Sequence, residues 1–222
     1  MVFKSGFFKT VAICSFAAAL TIVLQPFIEL FVDGDIPGYR DGYAMLIEWL
    51  RLASVLLGFM ALWGIVAAKL DTHTGYAATA LIFFVVWMVL ELIFRSIRIF
   101  AKLGRWDPAL AGNPEGSMST VLQANINFLG GMTVAFMMVI IACAIIGGSL
   151  LGIATWRGDF LDKAVSIFLF LYAALGVVYI VGILGNQFAI SVVQTTYHFL
   201  RSLDRIVWGV WLWRWSTRET EN

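Results

Sequence analysis

The sequence predicts an all-α polytopic transmembrane bundle of six spans, and three observations point to it. The chain is 61% hydrophobic and only 13% charged, where soluble domains carry about 25% charged residues. Its mean hydropathy is +0.88. Its apolar runs recur at the length of roughly 20 residues that a helix needs to cross the hydrocarbon of a bilayer. A soluble core built from 222 residues could not bury that much apolar surface. No stretch between the runs is long enough for a second fold, so 1–222 reads as one membrane domain.

The first run, 7–32, follows Lys4 and Lys9 as a secretory signal would. The residues directly before Gln25-Pro26, Ile22, Val23 and Leu24, make no small-x-small cleavage site, and apolar residues continue through Phe27, Ile28, Leu30 and Phe31, so the run reads as a span. Further runs cover 43–68, 75–100, 120–153 and 163–185. The breakers between them are the Asp/Gly/Pro-rich stretch 33–42, the turn 69–75, and Asp107-Pro108 with Asn113-Pro114. A tight junction at Gly185-Asn186 leads into a sixth run, 187–213.

That last run has two readings. Gln187, Ser191, Gln194, His198, Arg201 and Arg205 step by three and four and form one polar stripe. Such a stripe suits a spanning helix that lines a polar interior or a helix lying in the interface with the stripe in water. The charge bias favours spanning. With the N-terminus inside, Lys4, Lys9, Lys69, Arg157, Lys163, Arg214 and Arg218 are cytoplasmic, against Arg40, Lys102 and Arg105 outside. That bias gives N-in, C-in and an even number of spans. Trp208, Trp211, Trp213 and Trp215 crowd the end of this run, as expected of an interfacial anchor. Ala144, Gly148 and Gly152 repeat every four residues on the fourth run, a face that lets a second helix, of this chain or another, come close.

Ionisable groups at membrane depth cost about 2.5–3.5 kcal/mol each on insertion scales, so they face the bundle interior or water and take partners. Glu48 and Arg51 are three residues apart, and Glu91, Arg95, Arg98 and Lys102 step by four, three and four, each set on one helix face. At a rise of 1.5 Å per residue, Glu48 and Arg51 lie roughly 8 and 12 Å below the outer surface. Glu91 and Arg95 come out at roughly 13 and 7 Å, and Gln194 and His198 at about 10 to 17 Å. Gln25, Glu29, Gln123, Asn125 and Asn127 share that half of the membrane.

The expectation is an outward-opening polar pocket over an apolar floor, with Glu48, Arg51, Glu91, Arg95, Gln194 and His198 as ligand-binding residues. A planar guanidinium holds a carboxylate or phosphate with two hydrogen bonds, so the ligand class is a small anion or anionic amphiphile such as a lipid headgroup. The competing reading treats the same charges as ion pairs that orient the bundle, with Arg98, Lys102 and Arg105 reaching headgroups.

Other chemistries find no support. The net charge is +1 with scattered basic residues, unlike a nucleic-acid binder. His73 lies in a loop and His198 stands alone, so no ligand spacing for a metal or haem exists and no cofactor is expected. Cys14 and Cys143 fall inside apolar runs and read as packed thiols. Nucleophile elbows and phosphate loops are absent, and no proline in the second half matches Pro26 as an inverted repeat would require.

The stretch 150–163, Leu-Leu-Gly-Ile-Ala-Thr-Trp-Arg-Gly-Asp-Phe-Leu-Asp-Lys, leads into an apolar helix. Together with the charges near Glu91 and Arg95 it resembles an inter-helix segment in an uncharacterised family of bacterial six-helix membrane proteins. That family carries a Pro-basic pair where this chain has Asp162-Lys163. The resemblance implies six helices and a bacterial inner-membrane location, and brings no activity with it. The alternative to a binding protein is a structural or accessory subunit of a larger membrane complex, docked through the Ala144/Gly148/Gly152 face and the tryptophan-rich end. An intramembrane enzyme ranks below both.

Overall fold

The computed structural model describes residues 5–32, 40–112, 116–185 and 187–218, with the side chains of 29–42 and 183–198 outside the description. The breakers over 33–39, Asn113-Pro114 and Asn186, and the side chains of Glu29, Gln187, Ser191, Gln194 and His198, therefore lie outside the described residues.

The described residues are all helical or in short turns: α1 (Ser5–Val32), α2 (Arg40–Lys69), α3 (Thr74–Ser96), α4 (Asp107–Ala111), α5 (Ser117–Thr155), α6 (Phe160–Gly185) and α7 (Gln187–Arg218). Among the described residues, five stretches are long and apolar enough to cross a membrane: Ser5–Ile28, Tyr43–Lys69, Thr74–Ala111, Ser117–Thr155 and Phe160–Gly182. The chain is thus a multi-pass helical membrane protein. Between α3 and α4 the backbone does not break after residue 100 as the sequence implies but continues in π-helical turns over Ile97–Trp106. Pro108 sits in the first turn of α4, where its missing N–H costs nothing. Pro26 likewise lies inside α1 without ending it.

Neighbours pack in the order α1, α2, α3, α5, α6, α7 and back to α1, which closes a ring, and α2 also meets α7 across it. Lipid is as apolar as leucine, so close packing of small residues rather than the hydrophobic effect draws such helices together. Gly64 of α2 fits against Val11 of α1, and Gly209 of α7 against the Phe16 ring, which a methyl at that position would meet at 2.6 Å. Gly148 and Gly152 are spent inside the chain: Gly148 faces the Leu169 carbonyl of α6, and a methyl at Gly152 would reach the Phe170 ring at 2.9 Å.

The start of α1 and the end of α7 lie together, with the Phe8 and Trp215 rings 6.4 Å apart. The tryptophans near that end depart from the expected anchor. Trp208 and Trp211 are buried in the core and only Trp213 of the four is exposed, because this segment of α7 packs against α1, α2 and α6. Cys14 and Cys143 are free thiols, the first half-buried and the second buried.

Candidate functional site: a guanidinium cluster on one buried carboxylate

Polar side chains gather at three levels along α2. The first is centred on Glu48, 2% exposed, near the start of the helix. Glu48 Oε1 accepts from Arg51 Nη1 at 2.9 Å, the pair one turn apart that the spacing predicts. Its other oxygen accepts from Arg95 Nη1 of α3, also at 2.9 Å. Arg98 Nη2 closes on Oε1 at 3.1 Å. Arg95 turns its Nε back to Glu91 Oε2 at 3.2 Å, so one guanidinium joins two carboxylates and rivets α3 to α2.

Three guanidiniums thus share two carboxylates. They differ in access: the Arg95 side chain is enclosed, whereas those of Arg51 and Arg98 are 25% and 34% exposed. The Arg98 Nε is buried with no hydrogen-bond partner among the described residues. The π-helical turns begin beside Arg98, and the Phe94 ring lies 5.7 Å from both the Arg95 and Arg98 guanidinium carbons. Lys102, the next step of the stripe, pairs with Asp107 at 2.6 Å instead of joining the cluster.

Of the six residues expected at this site, the structure brings together Glu48, Arg51, Glu91 and Arg95; the side chains of Gln194 and His198 are outside the described residues. Arg98, on the same helix face as Glu91 and Arg95 but not among the six expected ligand residues, belongs to the cluster. Gln123 and Asn127 do not: they bond each other at 3.1 Å on the exposed face of α5, which packs inward through Leu122 and Leu129. Gln25 is buried in α1 with its side-chain nitrogen unpartnered among the described residues.

The second level lies ten residues further along α2, about 15 Å at the helical rise. There the Arg205 guanidinium of α7 rests on Gly58 and over the Trp208 ring, 4.1 Å from its centroid, with Asp204 beside it. The floor beneath the Glu48 cluster is therefore not purely apolar. Asp204 could have been found in the sequence, since it falls three residues after Arg201 on the polar stripe.

The third level closes the far end. Lys69 donates to Asp162 Oδ1 of α6 at 3.0 Å, and the Trp211 indole donates to the same oxygen at 2.7 Å. The Lys69 ammonium lies 5.6 and 5.2 Å from the Trp211 and Trp215 ring centres. Asp159 and Asp162 cap α6 reciprocally, each carboxylate accepting the other's backbone N–H at 3.1 Å. Arg214 and Arg218 then reach Asp159 at 3.2 and 2.6 Å. These contacts pull the Asp159 carboxyl below its ordinary range, through the backbone N–H of Asp162 first and the two arginines after it.

No family model matches the chain, and no curated protein or solved structure does either.

Proposed function

We propose that the Glu48 level is a binding site for a small anion or an anionic amphiphile, taken up by Arg51 and Arg98 and held in register by the Glu48–Arg95–Glu91 rivet. The observation that carries this reading is the imbalance of the cluster. Among the described residues three guanidiniums meet two carboxylates, and Arg98, a third exposed, has a buried Nε–H with no hydrogen-bond partner there. An unmet charged donor is costly at membrane depth, and a phosphate or carboxylate offering two oxygens relieves that cost. The reading includes six spans with both ends on the cytoplasmic side, α7 being the sixth. Supporting it are the 32-residue length of α7, the burial of its described face and the adjacency of Phe8 to Trp215. A bacterial inner membrane is the location that the basic bias and the resemblance of 150–163 favour.

A subunit role would need a face other than Gly148 and Gly152, which α6 already covers. The test is native mass spectrometry of the chain extracted gently from its own membrane. A retained anionic lipid or metabolite, lost in Arg98→Ala and Arg51→Ala and kept in Arg105→Ala, is the expected result. Equal retention in all three sinks the site, and a stoichiometric partner chain without a small molecule supports the subunit reading instead.

A further inference from the structure

The middle level contains a second site. Asp204 is 0% exposed, and neither of its carboxylate oxygens has a hydrogen-bond partner among the described residues. Arg205 Nε stands 3.9 Å from Oδ1, too far for a hydrogen bond. On the donor side, Arg205 Nε and Nη1 and the Trp208 indole N–H are also buried and unmatched. Between acceptors and donors lies a cavity of about 50 Å³ that Asp204, Arg205 and Trp208 line together with Tyr172 of α6 and Arg201.

Two orphaned acceptors and three orphaned donors around one void call for a guest that both donates and accepts. A single water needs only ~10–15 Å³ of such space and two to four polar partners, so this half-open pocket has room for more than one. Around it α2, α3 and α5 present mostly apolar groups, Leu62, Phe84, Trp87, Ala144 and Gly148, while α6 turns the Tyr172 hydroxyl toward Asp204. The charged and titratable groups that face Asp204 are Arg201 and Arg205 from its own helix and Tyr172 from α6.

We propose that this cavity is a buried water site at which Asp204 takes up and releases a proton within the membrane, independently of anion binding at Glu48. A proton arriving on the cavity water as hydronium passes to one Oδ of Asp204, leaving water and a neutral carboxylic acid; release is the reverse. Arg205 keeps its place in either state because the Gly58 notch and the Trp208 ring hold the guanidinium, and Ser15 Oγ bonds its backbone carbonyl at 2.7 Å. The protonated carboxyl becomes a donor, so the change of state rearranges water rather than helices.

Infrared difference spectroscopy of the full chain in lipid nanodiscs, stepped across pH, tests this. The expected spectrum gains a protonated-carboxyl band on acidification, accompanied by water O–H bands that move in heavy-oxygen water. The carboxyl band is lost in Asp204→Asn and displaced in Asp204→Glu. A band that survives Asp204→Asn, a carboxyl silent to pH, or a carboxyl change with no water bands each overturns the proposal. Should Asp204→Asn fail to fold, Tyr172→Phe removes the hydroxyl facing the carboxylate with little change of shape. The band should then shift in frequency, and an unmoved band overturns the proposal.

Discussion

The two ends of α2 are built from the same materials and come out as different devices. At the Lys69 end, one ammonium meets one carboxylate, an indole N–H takes part in the same contact, and two aromatic rings cover the cation. Both ion-pair side chains are almost wholly enclosed. At the Glu48 end, one enclosed carboxylate gathers three guanidiniums, two of which reach outward. A closed, matched pair has nothing left with which to recognise a ligand and acts as a clasp between α2, α6 and α7. Under the proposed reading, a half-open cluster with three guanidiniums on one carboxylate has Arg98 left to meet a guest. On that reading burial and stoichiometry, not the mere presence of charge in a span, separate structure from recognition.

The largest expected effect breaks the clasp. Asp162→Ala leaves Lys69 buried beside an unpaired indole N–H, and removing one partner of a buried pair costs about 3–5 kcal/mol. Unfolding by a denaturing detergent in mixed micelles would measure that loss. Combining Lys69→Met with Asp162→Leu should recover part of it, because the apolar pair needs no charge compensation while the Trp211 indole and Asp159 backbone N–H groups stay unmet. If the double variant is as unstable as the single, the clasp is not a simple ion pair.

Next comes Glu48→Ala. Its guanidiniums also lose their counter-charge, but those of Arg51 and Arg98 are a quarter to a third exposed, so a smaller cost of about 2 kcal/mol is expected in the same unfolding measurement. A loss equal to that of Asp162→Ala would make the Glu48 level a second clasp and weaken the recognition reading.

Arg98→Ala sharpens the contrast further. Because Arg98 is a third exposed, its removal should cost less than about 1 kcal/mol of stability. The same variant should abolish retention of an anionic ligand, read by native mass spectrometry. A stability loss without a binding loss would reverse the assignment.

The smallest effect belongs to the rim of the clasp. The folded-state pKa of Asp159 is depressed below its ordinary value of 3.8. Its ionised form therefore stabilises the folded chain at neutral pH, and that contribution fades only as pH falls below 3.8 and through the folded value. Asp159→Asn should lower stability slightly at pH 7 and flatten the acid limb of the unfolding profile. An acid limb identical to that of the wild type would show that Arg214 and Arg218 contribute nothing through this carboxylate.

Much of the Glu48 cluster was legible in the sequence. Glu48–Arg51 and Glu91–Arg95 follow from helical spacing alone, and both pairs form. The contacts of Arg95 and Arg98 with Glu48 join α3 to α2, and no spacing within one helix contains them. Lys69 and Asp162 are 93 residues apart and fall in different helices. The tryptophans near the end of α7 show the converse failure. Their clustering beside Arg214 carries the signature of an interfacial belt, yet Trp208 and Trp211 lie in the core.

Hydropathy and periodicity are properties of one helix at a time, and they determined the membrane class, the positions of the apolar helices and the charge pairs within a turn. Which face of each helix turns inward, and against which neighbour, was decided only when the helices packed. In lipid no difference in hydrophobicity selects the buried face. The choice passes instead to small residues that admit a close neighbour, such as Gly58 beneath Arg205 and Gly152 beneath Phe170. The cross-helix rivet at Glu48, the clasp at Lys69 and the hollow at Asp204 all arise from that packing, which explains why the sequence carried their parts but not their arrangement.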